Sequence, residues 1–185
     1  KISISSLKRH YENFSSANRI IFISCGTSWH SSLLGEYFFE ELLRIPVEVE
    51  YASEFRYRNP VINKGDIVIP ISQSGETADT LAAIKMAKEK GAFLYGICNV
   101  VGSSIARETH TGVYTHAGSE IGVASTKAFS CQISLLLLMG LALGEKLGTI
   151  DKKRYQRVLN ELYELPKTIK KVLKSNSLIE GIAEN

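Results

Sequence analysis

Short apolar runs of strand length alternate with longer segments of helical period, and this alternation constrains the fold more than any other feature. Parallel strands need long crossover connections, which are usually helices. The sequence therefore predicts an α/β fold, a doubly wound parallel sheet flanked by helices. The predicted strands are 20–23, 47–51, 67–71, 93–97 and a short fifth at 112–115, and the helices between them include 28–43 and 76–90.

Both ends of the chain are predicted to be helical. A first helix covers about residues 5–14, and a long apolar helix covers about residues 124–147. Amphipathic helices follow at 151–165 and 167–174, divided by Pro166 because proline interrupts helical hydrogen bonding. This divides the chain into an N-terminal helix (1–18), an α/β domain (19–150) and C-terminal helices (151–185).

Composition narrows the class of protein. With 44% hydrophobic and 22% charged residues among 185, the chain is neither disordered nor fibrous. A net charge of +3 argues against a nucleic-acid partner, and the apolar stretch 133–143 is shorter than the ~20 residues that span a membrane. Three separated cysteines and four scattered histidines predict neither disulfides nor a metal site. We therefore expect a cytoplasmic protein with reduced thiols.

Hydroxyl-rich loops follow two of the predicted strands. Thr27 and Ser28 follow the first strand, and Ser72, Ser74 and Thr77 follow the third, in each case just before a helix. Ligands of open parallel sheets bind beyond the carboxyl ends of the strands, and a helix N-terminus attracts anions through its unpaired N–H groups. Serine and threonine also cap many helices that bind nothing, but two such loops at neighbouring strand ends favour an anion site.

Two common phosphate-binding motifs are absent from the sequence. No Gly-x-x-x-x-Gly-Lys-Ser/Thr run occurs and no Gly-x-Gly-x-x-Gly follows a strand, which argues against nucleoside triphosphates and dinucleotides. An anion held by neutral hydroxyls and backbone N–H groups suits a small phosphorylated metabolite. We expect no cofactor.

Three further features each allow two interpretations. Glu120 and Lys127, which bracket a segment before the long apolar helix, are either part of a site or a capping acid and a solvated lysine. Cys25 is either a nucleophile at a strand end or an inert thiol. Between residues 152 and 174, eight basic residues accompany two acids, which indicates a solvated helix face or a surface for an acidic partner.

Four motifs resemble a known family over nearly the whole chain. They are Cys-Gly-Thr-Ser at 25–28, Ala-Ser-Glu-Phe-Arg-Tyr-Arg at 52–58, Ser-Gln-Ser-Gly-Glu-Thr-Ala-Asp-Thr-Leu at 72–81, and the segment 120–129. Together they resemble the first sugar isomerase (SIS) domain of the glucosamine-6-phosphate synthases, the isomerizing glutamine–fructose-6-phosphate transaminases. The resemblance implies a flavodoxin-like three-layer sandwich around a five-stranded parallel sheet.

The resemblance also implies a site and its role. It implies that the phosphate of fructose 6-phosphate or glucosamine 6-phosphate is surrounded by Ser28, Ser72, Gln73, Ser74 and Thr77, and that the sugar lies along Thr27, Val123, Ala124 and Ser125. By the same resemblance, the proton-transferring glutamate, the lysines and the ring-opening histidine belong to a second SIS domain, and ammonia release belongs to a glutaminase domain. We therefore expect a phosphosugar-binding half of an enzyme, without a catalytic residue and inactive alone.

The expected partners follow from this assignment. Residues 123–147 are apolar over a wide arc, which predicts packing against the second SIS domain and against another copy in a homodimer. A phosphosugar-sensing module without chemistry stays open as an alternative, although no helix-turn-helix domain of the kind such regulators carry is found in the sequence. A pentose-phosphate isomerase is a third possibility, but it is not expected to carry the segment 120–128.

Overall fold

The computed structural model describes residues 2–184 and contains a five-stranded, all-parallel sheet, as predicted. Its strands, in chain order, are β1 (Ile20–Ser24), β2 (Val47–Tyr51), β3 (Ile67–Ser72), β4 (Phe93–Cys98) and β5 (Thr111–Tyr114). In the sheet they lie in the order β2-β1-β3-β4-β5. The winding reverses between β1 and β3, so the loops after these two strands flank the switch point where open α/β sheets bind ligands.

Helices connect the strands and follow the sheet. Among the described residues, seven helices lie before Ile150, where the chain divides into two compact units. They are α1 (Ser5–Arg9), α2 (Tyr11–Ser15), α3 (Thr27–Leu43), α4 (Ala52–Tyr57), α5 (Ala78–Glu89), α6 (Ser104–Glu108) and α7 (Lys127–Leu147). The second unit consists of α8 (Lys152–Val172), a 3₁₀ turn (Leu173–Ser175) and α9 (Asn176–Ala183).

Both faces of the sheet are buried, which explains why β1 and β3 are continuous apolar runs. On one face Ile21 and Val68 join a cluster with Phe55 of α4 and Ile84 of α5. On the other face the ring of Phe22 meets an α3 residue, Phe39, edge to face at 5.2 Å between centroids. The site therefore rests on a sheet that is anchored from both sides.

Helices α3 and α7 pack closely because glycines face the contact. A Cβ at Gly140 of α7 would lie 2.9 Å from Leu42 Cδ1, and one at Gly35 of α3 would lie 3.1 Å from Leu136 Cδ1. By length and composition α7 is long and apolar enough to cross a membrane, but half of its 18-residue apolar stretch is buried inside the domain. A core helix of a globular domain passes the same test.

Pro70 lies inside the central strand β3, where proline is uncommon because it cannot donate to the ladder. The pairing with β4 joins Ile67 to Phe93 and Val68 to Leu94, and resumes at Ile71 and Ser72. The strand thus tolerates the proline where the pairing with β4 is interrupted, and the register is the same on both sides of the gap.

Several predicted helix boundaries are wrong. The N-terminal helix is two short ones, α5 starts at Ala78, and α7 starts at Lys127 because residues 119–126 form a loop. The predicted break at Pro166 does not occur, since α8 continues through it to Val172. The residues around Pro166 are exposed, so water can satisfy the carbonyl that loses its helical partner.

Candidate anion-binding site

The loop between β3 and α5 is held in one conformation by its own hydrogen bonds. Ser72 Oγ accepts a hydrogen bond from Gly75 N at 2.9 Å, and Ser74 Oγ accepts one from Glu76 N at 3.2 Å. Gly75 has φ +69°, and a Cβ there would lie 2.0 Å from Ser103 Oγ, so only glycine fits. The loop is therefore held by its own hydrogen bonds and by the close fit at Gly75.

Ser72 and Thr77 share a hydrogen bond that leaves a proton for a ligand. Their hydroxyl oxygens lie 3.2 Å apart, and either can donate to the other. Since only one of the two protons is used in this contact, the other hydroxyl can donate outward. Ser72 is 4% exposed, so its donor is presented from a largely dehydrated position.

The loop between β1 and α3 lies beside it, because β1 pairs with β3 from Ile20–Ile67 to Ile23–Pro70. Ser28, in the first turn of α3, is 8% exposed, and its Oγ accepts a hydrogen bond from Gln132 Nε2 of α7 at 3.0 Å. Thr27, the first residue of α3, is half-buried. The two hydroxyl-rich segments are thus neighbours in the structure, as predicted.

Both helices at the switch point start without a side-chain cap within the described residues. Gly26 precedes α3 and Thr77 precedes α5, and neither donates or accepts a capping hydrogen bond through a side chain. The first N–H groups of these helices are therefore available to an anion. Asp79, in the first turn of α5, would repel an anion, but Arg56 Nη1 of α4 pairs with it at 2.7 Å.

Glu76 is exposed, yet its carboxylate is engaged by α6. Ser104 N donates to Glu76 Oε1 at 2.7 Å, and the hydrogen bonds with Ser104 lower the pKa of Glu76. Ile105 N donates to Gly75 O at 2.9 Å, which adds a second contact between α6 and the loop. The loop is thus anchored to α6 as well as to itself.

The structure does not bring the segment 119–126 against these loops by any described hydrogen bond. Val123 and Ala124 are exposed and Ser125 is half-buried. A cleft of about 580 Å³ lies between this segment and the ends of β3 and β4, and Gln73 is the residue of the predicted set that lines it. The remaining lining residues are Asn99, Val100, His116, Gly118, Ser119 and Glu120.

The structure gives contacts for the residues that allow two interpretations. Glu120 Oε2 accepts a hydrogen bond from Ala128 N at 3.2 Å, so it caps α7, and Lys127 is exposed. Cys25 is half-buried, with its Sγ 4.0 Å from Thr80 Oγ1. Burial raises the pKa of another thiol, Cys98, to about 11. Among residues 2–184, no group of three or more histidine, cysteine, aspartate or glutamate side chains is placed to hold a metal ion.

Comparison with known proteins assigns the fold to a family. The SIS domain family matches residues 13–142. The chain belongs to the SIS domain family. The family membership that the sequence motifs predicted is therefore confirmed.

The SIS domain described here is similar to part of longer enzymes. It is 53% identical over 183 residues to the glutamine–fructose-6-phosphate aminotransferases (isomerizing) of Bacteroides thetaiotaomicron and of Chlorobaculum tepidum. These alignments cover 99% of the chain but 30% of each relative. A solved structure, the C-terminal domain of glucosamine-fructose-6-phosphate aminotransferase from Francisella tularensis, matches with a TM-score of 0.92 and 35% identity, covering 100% of this chain and 51% of that one.

Sequence reasoning missed several residues that shape this SIS domain's site. Gln132 lies in the predicted apolar helix 124–147, where the local pattern assigns it no role, although a buried amide in such a helix signals a partner. Asn99 directly follows β4, at the edge of the sheet where ligands bind, so its position in the sequence was a signal. Its side chain forms hydrogen bonds with Thr115, Ala117 and Gly118. Helix α4, which carries Arg56, was not predicted.

Proposed function

We propose that this SIS domain binds the phosphate group of a phosphosugar at the switch point between β1 and β3. The observation that carries the proposal is that hydroxyls lie at the N-termini of two adjacent helices, α3 and α5, and that both N-termini lack a side-chain cap among the described residues. In this proposal Ser28, Ser72, Gln73, Ser74 and Thr77 surround the phosphate. Neutral donors and helix N–H groups bind a phosphate without a lysine.

The proposed substrate is fructose 6-phosphate, and the proposed product that the same site holds is glucosamine 6-phosphate. The support is the similarity to glutamine–fructose-6-phosphate aminotransferases, whose name states that substrate. The sugar would lie along Thr27 and the segment that holds Val123, Ala124 and Ser125. This chain would be the phosphosugar-binding first half of the isomerase part of such an enzyme.

The catalytic groups and the remaining wall of the site are proposed to come from other domains. The chain spans about 30% of the length of the curated relatives it matches, so a second SIS domain and a glutaminase domain have ample room there. The exposure of Ile121 and Val123, at 97% and 102%, supports a covering partner for the segment 119–126. A homodimer in the cytoplasm remains part of the proposal.

Calorimetric titration of the 185-residue chain tests the proposed binding. Fructose 6-phosphate, glucosamine 6-phosphate and unphosphorylated fructose are compared. Binding is expected for the two phosphates and not for fructose. The double variant Ser28→Ala/Ser72→Ala is expected to weaken phosphosugar binding by at least about 10-fold, since each hydrogen bond to a charged group is worth about 1.5–3 kcal/mol.

Ser15→Ala provides the matched control, because Ser15 Oγ donates only to Glu12 O within its own helix, among the described contacts. It removes a serine hydroxyl from α2, which precedes the amino end of β1 and not its carboxyl end, and it should leave the affinity unchanged. Thermal unfolding of each variant confirms that the protein remains folded. Equal binding of fructose and fructose 6-phosphate, or no loss in the double variant, would contradict the proposal.

A further inference from the structure

Gln132 is a buried amide that joins α7 to the predicted phosphate-binding turn of α3. Its side chain is 1% exposed and lies in a helix made largely of apolar residues. Gln132 Nε2 donates to Ser28 Oγ at 3.0 Å, and Gln132 Oε1 accepts from Ser31 Oγ at 2.9 Å. The NH₂ group of the amide therefore contacts one hydroxyl of the proposed site, that of Ser28.

The direction of this hydrogen bond decides what Ser28 can offer a ligand. A serine hydroxyl has one proton to donate and lone pairs that accept. When Gln132 Nε2 donates to Ser28 Oγ, the Ser28 proton remains free to point elsewhere. A phosphate oxygen accepts hydrogen bonds, so it needs that proton.

The amide has a second orientation with the opposite result. If Gln132 were turned over, Oε1 would accept the proton of Ser28, and the hydroxyl would face an anion with its lone pairs. Ser31 is compatible with both orientations, because its Oγ also lies 2.7 Å from Ser28 O and can donate there. The Ser31 hydroxyl thus supplies a proton to Gln132 in one state and accepts one in the other.

We propose that Gln132 is a positioning residue that presents the Ser28 hydroxyl as a hydrogen-bond donor to the bound phosphate. This inference rests on the proposed function, since it concerns the same site. It goes further because it assigns a role in anion binding to a residue of α7, which is distant in sequence from both loops. Gln132 does not contact the ligand itself but acts through Ser28.

A merely structural role for Gln132 predicts different behaviour. An amide that only fills space between α3 and α7 would affect the free energy of unfolding, and phosphate affinity would follow stability. A positioning role predicts that the acceptor or donor character of the side chain at 132 controls affinity. The substitution Gln132→Glu separates the two, because a protonated carboxyl can donate to Ser28 Oγ and a carboxylate can only accept.

The experiment measures fructose 6-phosphate affinity of the 185-residue chain by calorimetry between pH 6 and pH 9. Unsubstituted chain, Gln132→Glu, Gln132→Met and Ser32→Ala are compared, each also in a Ser28→Ala background. Ser32→Ala is the matched control, since Ser32 Oγ is buried in the same turn and bonds Ser24 Oγ and Ser28 O, but not the Ser28 hydroxyl. The ratio of variant to unsubstituted affinity at each pH cancels the titration of the phosphate.

Gln132→Glu is expected to bind about 10- to 100-fold more weakly at every pH at which its carboxyl is ionised, because a carboxylate cannot donate to Ser28 Oγ. Gln132→Met is expected to weaken binding by about 3- to 10-fold at every pH, because it neither donates nor accepts in place of the amide. Ser32→Ala should change affinity by less than about 2-fold despite its lost hydrogen bonds. In the Ser28→Ala background, Gln132→Met should have no further effect.

Two results would overturn the assignment. One is an affinity of Gln132→Met equal to that of the unsubstituted chain, and the other is an equal loss for Gln132→Met with and without the Ser28 hydroxyl. The Gln132→Met pair also decides if Gln132→Glu does not fold. Absence of binding by the unsubstituted chain refutes the proposed function as well, whereas normal binding with unaffected variants refutes only the role of Gln132.

Discussion

Two loops that the sequence places in one candidate site differ sharply in how they are held. The loop 72–77 is fixed by Gly75 N to Ser72 Oγ, Glu76 N to Ser74 Oγ and Ile105 N to Gly75 O, all between 2.9 and 3.2 Å. The segment 119–126 exposes Ile121 and Val123 almost fully, and the carboxylate of Glu120 ties its start to α7. One loop is built by the domain alone, while the other presents apolar side chains to solvent.

The difference shows which part of the site is complete within this chain. A preformed loop lowers the entropic cost of binding, because its donors are already in position. Exposed apolar residues of an interaction segment gain stability when a partner covers them. The phosphate half of the proposed site is therefore expected to function in the isolated domain, and the segment 119–126 is expected to depend on a partner.

The largest effect should follow from filling the space at Gly75. Gly75→Ala places a Cβ against buried Ser103 at positive φ, and should cost about 3–5 kcal/mol of unfolding free energy. Gly102→Ala is the control, because Gly102 has φ +71° and open space around its Cβ position, and should cost about 1–2 kcal/mol. Urea unfolding of both variants gives the comparison. Equal losses would mean that the fit against Ser103 does not hold the loop.

Proteolysis at glutamate compares the two loops within one molecule. The side chain of Glu76 is exposed and that of Glu120 is half-buried, so accessibility alone predicts faster cleavage after Glu76. Backbone hydrogen bonding predicts the reverse, with cleavage after Glu120 at least about 10-fold faster, because local opening controls cleavage. Mass spectrometry of the early fragments identifies each cut. Faster cleavage after Glu76 would show that the loop 72–77 is not preformed.

Removing one hydroxyl from each loop should affect the affinity for fructose 6-phosphate differently in the loop 72–77 and in the segment 119–126. Ser74→Ala is expected to weaken fructose 6-phosphate binding by the isolated chain about 10-fold, whereas Ser125→Ala should change it by less than about 2-fold. The reason is that Ser74 belongs to the ordered loop and Ser125 to the segment that needs a partner. Calorimetry on both variants measures the difference. A larger loss for Ser125→Ala would reverse the assignment of the two loops.

The smallest effect is expected for the exposed apolar residues. Ile121→Ser and Val123→Ser should change the unfolding free energy of the isolated chain by less than about 0.5 kcal/mol, since both side chains are already in water. Thermal unfolding checks this directly. A loss of more than about 1 kcal/mol in either variant would show that the segment packs within the domain.

Much of the fold could be predicted because it depends on local patterns. Strands and helices differ in hydrophobic period, so the apolar runs indicate the strands, and the glycine after α5 indicates where that helix ends. Because ligands of open parallel sheets bind beyond the carboxyl ends of the strands, the sequence also predicts that Ser28 and Ser72 lie at the switch point. The start of α7 at Lys127 also had a local signal, since Thr126 occupies the N-cap position. That signal was outweighed by the apolar character of Val123 and Ala124.

The remaining features depend on contacts between distant parts of the chain. Gln132 meets Ser28 across 104 positions, a contact that exists only once α3 and α7 pack through Gly35 and Gly140. Helix α4 is six residues long, too short for a periodic pattern, and carries aromatic residues that also favour strands. The exposure of the segment 119–126 is likewise a tertiary property that no local pattern encodes.

The most direct test of the central claim is a titration of ¹⁵N-labelled chain with fructose 6-phosphate, followed by amide chemical shifts. A preformed phosphate half-site predicts that the largest shifts occur at the amides of residues 73–80 and 27–29, in the loops after β3 and β1. Shifts concentrated at residues 99–101 and 116–126, or no shifts at millimolar ligand, would contradict it.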